Sequence, residues 1–157
     1  MLSGMHRCTA LLRLASVIAM IAAAQPAMGR TAPAPAAERI LDDTGGRIGT
    51  YLTKYEALRK SGQRVVIDGT CAPACTLLLG VIPHNRICVT PRAVLAFHAA
   101  WDPSLTGAQP NAAGTKYLWS RYPDGVRRWI ERHGGLRSKT IYLGGRELTA
   151  MFPSCRR

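Results

Sequence analysis

Ile48, Tyr51, Leu52, Tyr55 and Leu58 fall at i, i+3, i+4, i+7 and i+10, one apolar stripe with Lys54, Arg59 and Lys60 outside it. That period predicts an amphipathic helix, stopped by Ser61-Gly62. Ahead of it, a short Arg39-Ile40-Leu41 segment leads into Asp42-Asp43-Thr44-Gly45-Gly46, a turn whose carboxylates and threonine are expected to cap the helix. After it, Arg64-Val65-Val66-Ile67-Asp68 has the β-branched centre of a buried strand ended by Gly69.

Residues 74–81 are apolar all round (Leu77, Leu78, Leu79, Val81), which predicts a short helix buried in the core, with Pro73 in its first turn. Pro83-His84-Asn85 reads as a turn, and two strands are expected at 86–89 and 93–97, broken at Thr90-Pro91. From Asp102 to Gly114 the Gly, Pro, Asn and Ser content predicts a mobile surface loop. Helices are expected at 115–121 and 123–133, the second closed by Gly134-Gly135, and Ile141-Tyr142-Leu143 is a last short strand before the tail. Helix, strand, helix, strands, helices in that order define a layered α/β domain.

The start of the chain reads differently. Arg7 and Arg13 precede an apolar run over residues 14–24, followed by Gln25-Pro26 and the small residues Ala27-Met28-Gly29. This is the pattern of a cleavable signal peptide over residues 1–29, cut before Arg30. Eleven apolar residues are too few for the ~20 of a spanning helix, so no membrane span is expected once the leader is removed. Cys8 precedes the apolar run and leaves with the leader. Residues 30–38 are an Ala/Pro-rich tether, and 39–157 form one domain. The expected location is the periplasm or the exterior.

The leader carries two of the 21 Lys and Arg and none of the nine Asp and Glu, leaving a net charge of +10. So basic a chain is attracted to anionic surfaces, and contact with one is left open. The charges are dispersed, however, with pairs at Arg127-Arg128 and Arg156-Arg157 and no run of five or six, and they do not interleave with aromatic residues. Nucleic acid is therefore not the expected partner.

Four cysteines follow the leader: Cys71, Cys75, Cys88 and Cys155. An even number in an oxidising compartment predicts two disulfides, while a zinc site is disfavoured because only Cys71 and Cys75 are close and no His pair accompanies them. No metal or cofactor is expected. Three pairings are open. The preferred one clips Cys71 to Cys75 and pins the C-terminal tail through Cys88 and Cys155.

Gly45-Gly46 ahead of a helix, the strand-turn-helix at 68–75, and His98 at a strand end are the places where chemistry could reside. Taken together they resemble the periplasmic relatives of the proteolytic subunit of the Clp protease, in the ClpP/crotonase-like fold. The resemblance lies in Thr44-Gly45-Gly46, Val65-Val66-Ile67-Asp68-Gly69, Cys71-Ala72-Pro73-Ala74-Cys75, and the strand pair from Arg86 through Pro91 to His98. It covers residues 43–100, in a short exported form with a reduced sheet. Residue 73 precedes His98 by 25 positions, a spacing similar to the family's serine-to-histidine interval.

That resemblance implies oxyanion-hole N–H groups at Gly46 and Ala74, a base at His98 and a nucleophile at position 73. The exported branch reads Cys-x-Ser-Ala-Cys there, whereas this chain has Pro73, which has no group that can attack a carbonyl. His98 is then a vestigial base, and a protein without hydrolytic activity is expected, with a binding or structural role. Asp124 and Glu147 are the candidates for a third triad member, each also readable as a solvated carboxylate. The alternative is a hydrolase of exported peptides or esters that uses His98, either serine-peptidase-like or with Cys75 as a thiol. A third reading is a basic binder of cell-wall polymer or nucleic acid. The partner implied is a protein or peptide, with homo-oligomerisation left open.

Overall fold

The computed structural model describes residues 36–105 and 107–156, so the expected signal peptide over residues 1–29 and most of the expected tether lie outside the described residues. The described residues form one compact unit. Its elements run β1 (Glu38–Asp43), α1 (Ile48–Ser61), β2 (Val65–Cys71), α2 (Leu78–Val81), β3 (Ile87–Val89), β4 (Val94–Phe97), β5 (Trp101–Ser104), β6 (Gly107–Pro110), α3 (Ala112–Arg121), α4 (Asp124–Arg132), β7 (Ile141–Gly144) and α5 (Gly145–Met151). A 3-10 turn at Cys75–Leu77 leads into α2. The α/β class expected from the element order, a small sheet flanked by helices, is the architecture adopted.

The main sheet has the order β1, β2, β4, β7. β1 runs parallel to β2, β7 is antiparallel to β4, and β3 and β4 lie end to end along the far side of β2. β2 is central, and its burial is nearly continuous, as a strand covered on both faces requires. The core gathers Val65, Ile67, Leu77, Leu78, Leu95 and Phe97 with Trp129 and Ile130 of α4. Within it Phe97 meets Tyr122 edge-on at 5.2 Å between ring centroids.

α1 buries Tyr55 and Leu58, with Ile48, Tyr51 and Leu52 partly covered, so the apolar stripe is its inner face. The expected capping fails, because the N-cap is Arg47 and makes no side-chain hydrogen bond. Asp42 and Asp43 belong to β1 instead, where Asp42 accepts from Thr70 N at 3.1 Å and Asp43 from Gly45 N at 2.9 Å.

Gly69 does not end β2. The strand continues to Cys71, and β1 bulges opposite it between Ile40 and Asp42. A Cβ on Gly69 would stand 1.2 Å from the Leu41 carbonyl oxygen, so the residue is a point of close backbone approach inside a strand.

Residues 102–114 are not a loop either. β5 and β6 form an antiparallel hairpin pairing Trp101 with Pro110 and Asp102 with Gln109, and α3 begins at Ala112, capped by the Asn111 side chain on Gly114 N at 2.6 Å. The hairpin buries neither face, so it has no alternating pattern to betray it, and its prolines are tolerated as in any edge strand. α5, of which only Leu148 is buried, was likewise not foreseen, since seven residues give a helical period too little length to register.

Both disulfides pair as preferred, Cys71 with Cys75 and Cys88 with Cys155. The second holds the tail beside β3, where Val89 N donates to Pro153 O at 2.9 Å and Cys155 N to Val89 O at 3.0 Å. Beneath the strand ends, the buried Asp68 collects Thr90 Oγ1 at 2.6 Å, Arg92 Nε at 3.1 Å, Arg92 Nη2 at 2.7 Å and Arg39 Nη1 at 2.5 Å. These bonds hold its carboxyl far below the usual carboxylate range, Arg92 contributing most.

Candidate functional site

The β1–α1 turn and the turn after β2 are built against each other. Ala72 N donates to Asp43 O at 2.8 Å, while the Asp43 carboxylate holds Gly45 N and the Tyr51 hydroxyl. Gly45 has φ +85°, and a Cβ there would lie 3.3 Å from Ala74 N. Only glycine combines that backbone conformation with so close an approach. Burial and the Asp43 contact push the Tyr51 hydroxyl up to about 12, so it stays protonated and acts as a donor at neutral pH.

The Cys71–Cys75 disulfide spans the second turn from both sides. Cys75 N closes the loop by donating to Ala72 O at 2.7 Å, and Thr76 N, just past it, donates to Pro73 O at 3.1 Å. The fully buried Thr76 hydroxyl also donates to Pro73 O, at 2.6 Å. Its oxygen then accepts from the Tyr122 hydroxyl at 2.8 Å.

His98 follows β4 directly. Its Nδ1 lies 2.7 Å from the Ala99 carbonyl oxygen, which can only accept, so Nδ1 carries the proton and Nε2 keeps a lone pair in the neutral ring. The strand continuation is tied down on both sides, by Ala99 N to Arg137 O at 2.8 Å and Ala100 N to Thr115 Oγ1 at 2.9 Å.

These segments enclose one cavity of about 640 Å3. Gly46, Pro73, Ala74 and His98, singled out in sequence on separate segments, all line it. Thr44, Gly45, Arg47 and Ile48 complete the first turn's share, Leu118 comes from α3, and the hairpin supplies Trp101, Asp102 and Pro103. Neither Gly46 N nor Ala74 N has a hydrogen-bond acceptor among the described residues.

The remaining candidates are elsewhere. Asp124 is exposed and paired with Arg127 at the head of α4, and Glu147 is exposed on α5; neither lines the cavity. His98 Nδ1 is engaged by a backbone carbonyl and not by a carboxylate. Cys75 is fully buried and bonded to Cys71. Sequence reasoning missed Arg47, Trp101 and Asp102. Arg47 left a signal, a cation at the head of a helix with no acidic residue in its first turn, the reverse of what the helix dipole favours. The hairpin residues left none. Among the described residues no cluster of three or more His, Cys, Asp or Glu could hold a metal, and no helix is long and apolar enough to cross a membrane.

No family model and no curated protein match the chain. Among solved structures it is similar to a mutant ClpP1 from Listeria monocytogenes, at 13% identity and a TM-score of 0.44, over 74% of this chain and 70% of that one.

Proposed function

We propose that this chain is an exported ClpP-like domain that binds a peptide or protein at the Gly46, Pro73, Ala74 and His98 cavity without hydrolysing it. Carrying the reading is the meeting of Pro73 and His98 on the wall of one cavity. His98 lines it, as do Gly46 and Ala74, whose N–H groups have no acceptor among the described residues, but residue 73 offers no attacking atom.

No neighbouring group substitutes. Cys75 is a disulfide sulfur, and the Thr76 hydroxyl is buried and committed to Pro73 O and Tyr122. Thr44 lines the cavity, yet no base is hydrogen-bonded to its hydroxyl among the described residues. The two disulfides favour an oxidising compartment, which supports export with cleavage before Arg30.

The test is labelling of the disulfide-bonded protein with a fluorophosphonate probe, read by intact mass, beside the Pro73→Ser variant. The wild type is expected to stay unlabelled and the variant to gain one adduct at position 73. An adduct anywhere on the wild type overturns the non-hydrolytic reading, and an unlabelled variant overturns the assignment of position 73.

A further inference from the structure

We infer that the cavity recognises a free carboxylate, the α-carboxylate at the C-terminus of a peptide with an apolar last residue. This rests on the binding reading above and names the ligand class.

Residues with donors to offer line the cavity from separate parts of the chain. Gly46 N and Ala74 N belong to two different turns and lack acceptors among the described residues. Arg47 lines the same space, and its guanidinium has no carboxylate partner among the described residues. A cation at that end of α1 works against the helix, whose first turn has no acid to offset it. A residue choice that opposes local stability is expected where a ligand supplies the missing charge.

A neutral oxyanion-type site would need two N–H groups alone, whereas a permanent cation beside them selects a ligand that is already an anion in its ground state.

The other walls define the rest of the ligand. Ile48, Leu118, Pro103 and the half-exposed Trp101 are apolar and suit an aliphatic side chain beside the carboxylate. Asp102, whose carboxylate accepts from Asn111 Nδ2 at 2.9 Å, puts a negative charge on the hairpin side. A second acidic group on the ligand is therefore disfavoured, which fits a peptide whose one carboxylate is the terminal one.

The experiment is isothermal titration of the disulfide-bonded protein with acetyl-Ala-Ala-Leu as the free acid and as its C-terminal amide. The acid is expected to bind at least about tenfold more tightly, the size of one or two charge-assisted hydrogen bonds. Arg47→Gln, an exposed position whose folding is checked by circular dichroism, is expected to remove about tenfold from the acid and nothing from the amide. Equal binding of acid and amide, no binding of either, or an unaffected acid in the variant each sinks the inference. Incubation with the tripeptide methyl ester, followed by mass spectrometry, separates the two readings. Ester cleavage would remove the non-hydrolytic function and leave the acid-over-amide preference standing.

Discussion

The Thr76 hydroxyl donates to the carbonyl oxygen of Pro73 at 2.6 Å, in a fully buried position. With Tyr122 bonded to the same hydroxyl at 2.8 Å, α3 is tied through its C-cap residue to the turn that carries position 73. Position 73 is thereby held by the fold even though its side chain has no reactive group.

Removing that link should loosen the turn. Thr76→Val leaves the Tyr122 hydroxyl without its partner in the interior and the Pro73 carbonyl with only the Thr76 N bond, at a cost of about 1–3 kcal/mol. Tyr122→Phe removes only the outer bond and should cost about 1 kcal/mol or less beyond any packing change. Urea unfolding of the two variants checks the order; equal losses would mean that Thr76 does not bridge the pair.

Asp68 should dominate the acid limb of stability. Its folded carboxyl titrates well below its unfolded value of about 3.9, so the contribution is complete above about pH 4 and is lost as the pH falls further. Asp68→Asn should lower the urea midpoint at neutral pH and flatten its dependence on pH below about 4. A variant that keeps the wild-type slope would show that other carboxylates set it.

Alkaline behaviour should follow the buried phenols. Tyr51 and Tyr122 are each pushed up to about 12, mainly by burial, and Tyr55 is driven higher still. Because the anion is disfavoured in the fold, the stability they contribute is full below the unfolded value of about 10 and declines as the pH rises through the folded values. Absorbance near 295 nm should therefore show a late tyrosinate step that coincides with unfolding. Ionisation of all five tyrosines before the near-ultraviolet circular dichroism changes would contradict it.

The Cys88–Cys155 bond closes a loop of 67 residues. On chain-entropy grounds, Cys88→Ser with Cys155→Ser should cost about 4 kcal/mol. Denaturant unfolding of this double variant measures the loss, and hydrogen exchange at Val89 and Cys155 should rise as the tail detaches. Unchanged exchange there would mean that the backbone pairing, and not the sulfur bridge, holds the tail.

Where the residue pattern carried information, it did so through burial. The stripe from Ile48 to Leu58, the β-branched Val65-Val66-Ile67 run and the apolar stretch at 77–82 each announce an element because each has a face, or all of its surface, inside the core. The reach of β2 past Gly69 was hidden, because the glycine that looks like a strand end answers to a backbone approach from β1. The hairpin and α5 were hidden for the opposite reason, having almost nothing buried.

From the chain alone came the proline at position 73, the 25-position interval to His98 and the even set of cysteines. Tertiary structure decided which of these share a wall. Gly46, Pro73 and His98 follow three different strands, and their meeting depends on β1 and β4 flanking β2, a relation set by long-range pairing that no local period encodes. The same pairing left Asp124 and Glu147 outside and brought Asp102 and Trp101 in, since a hairpin with no buried face is positioned only by what its ends are attached to.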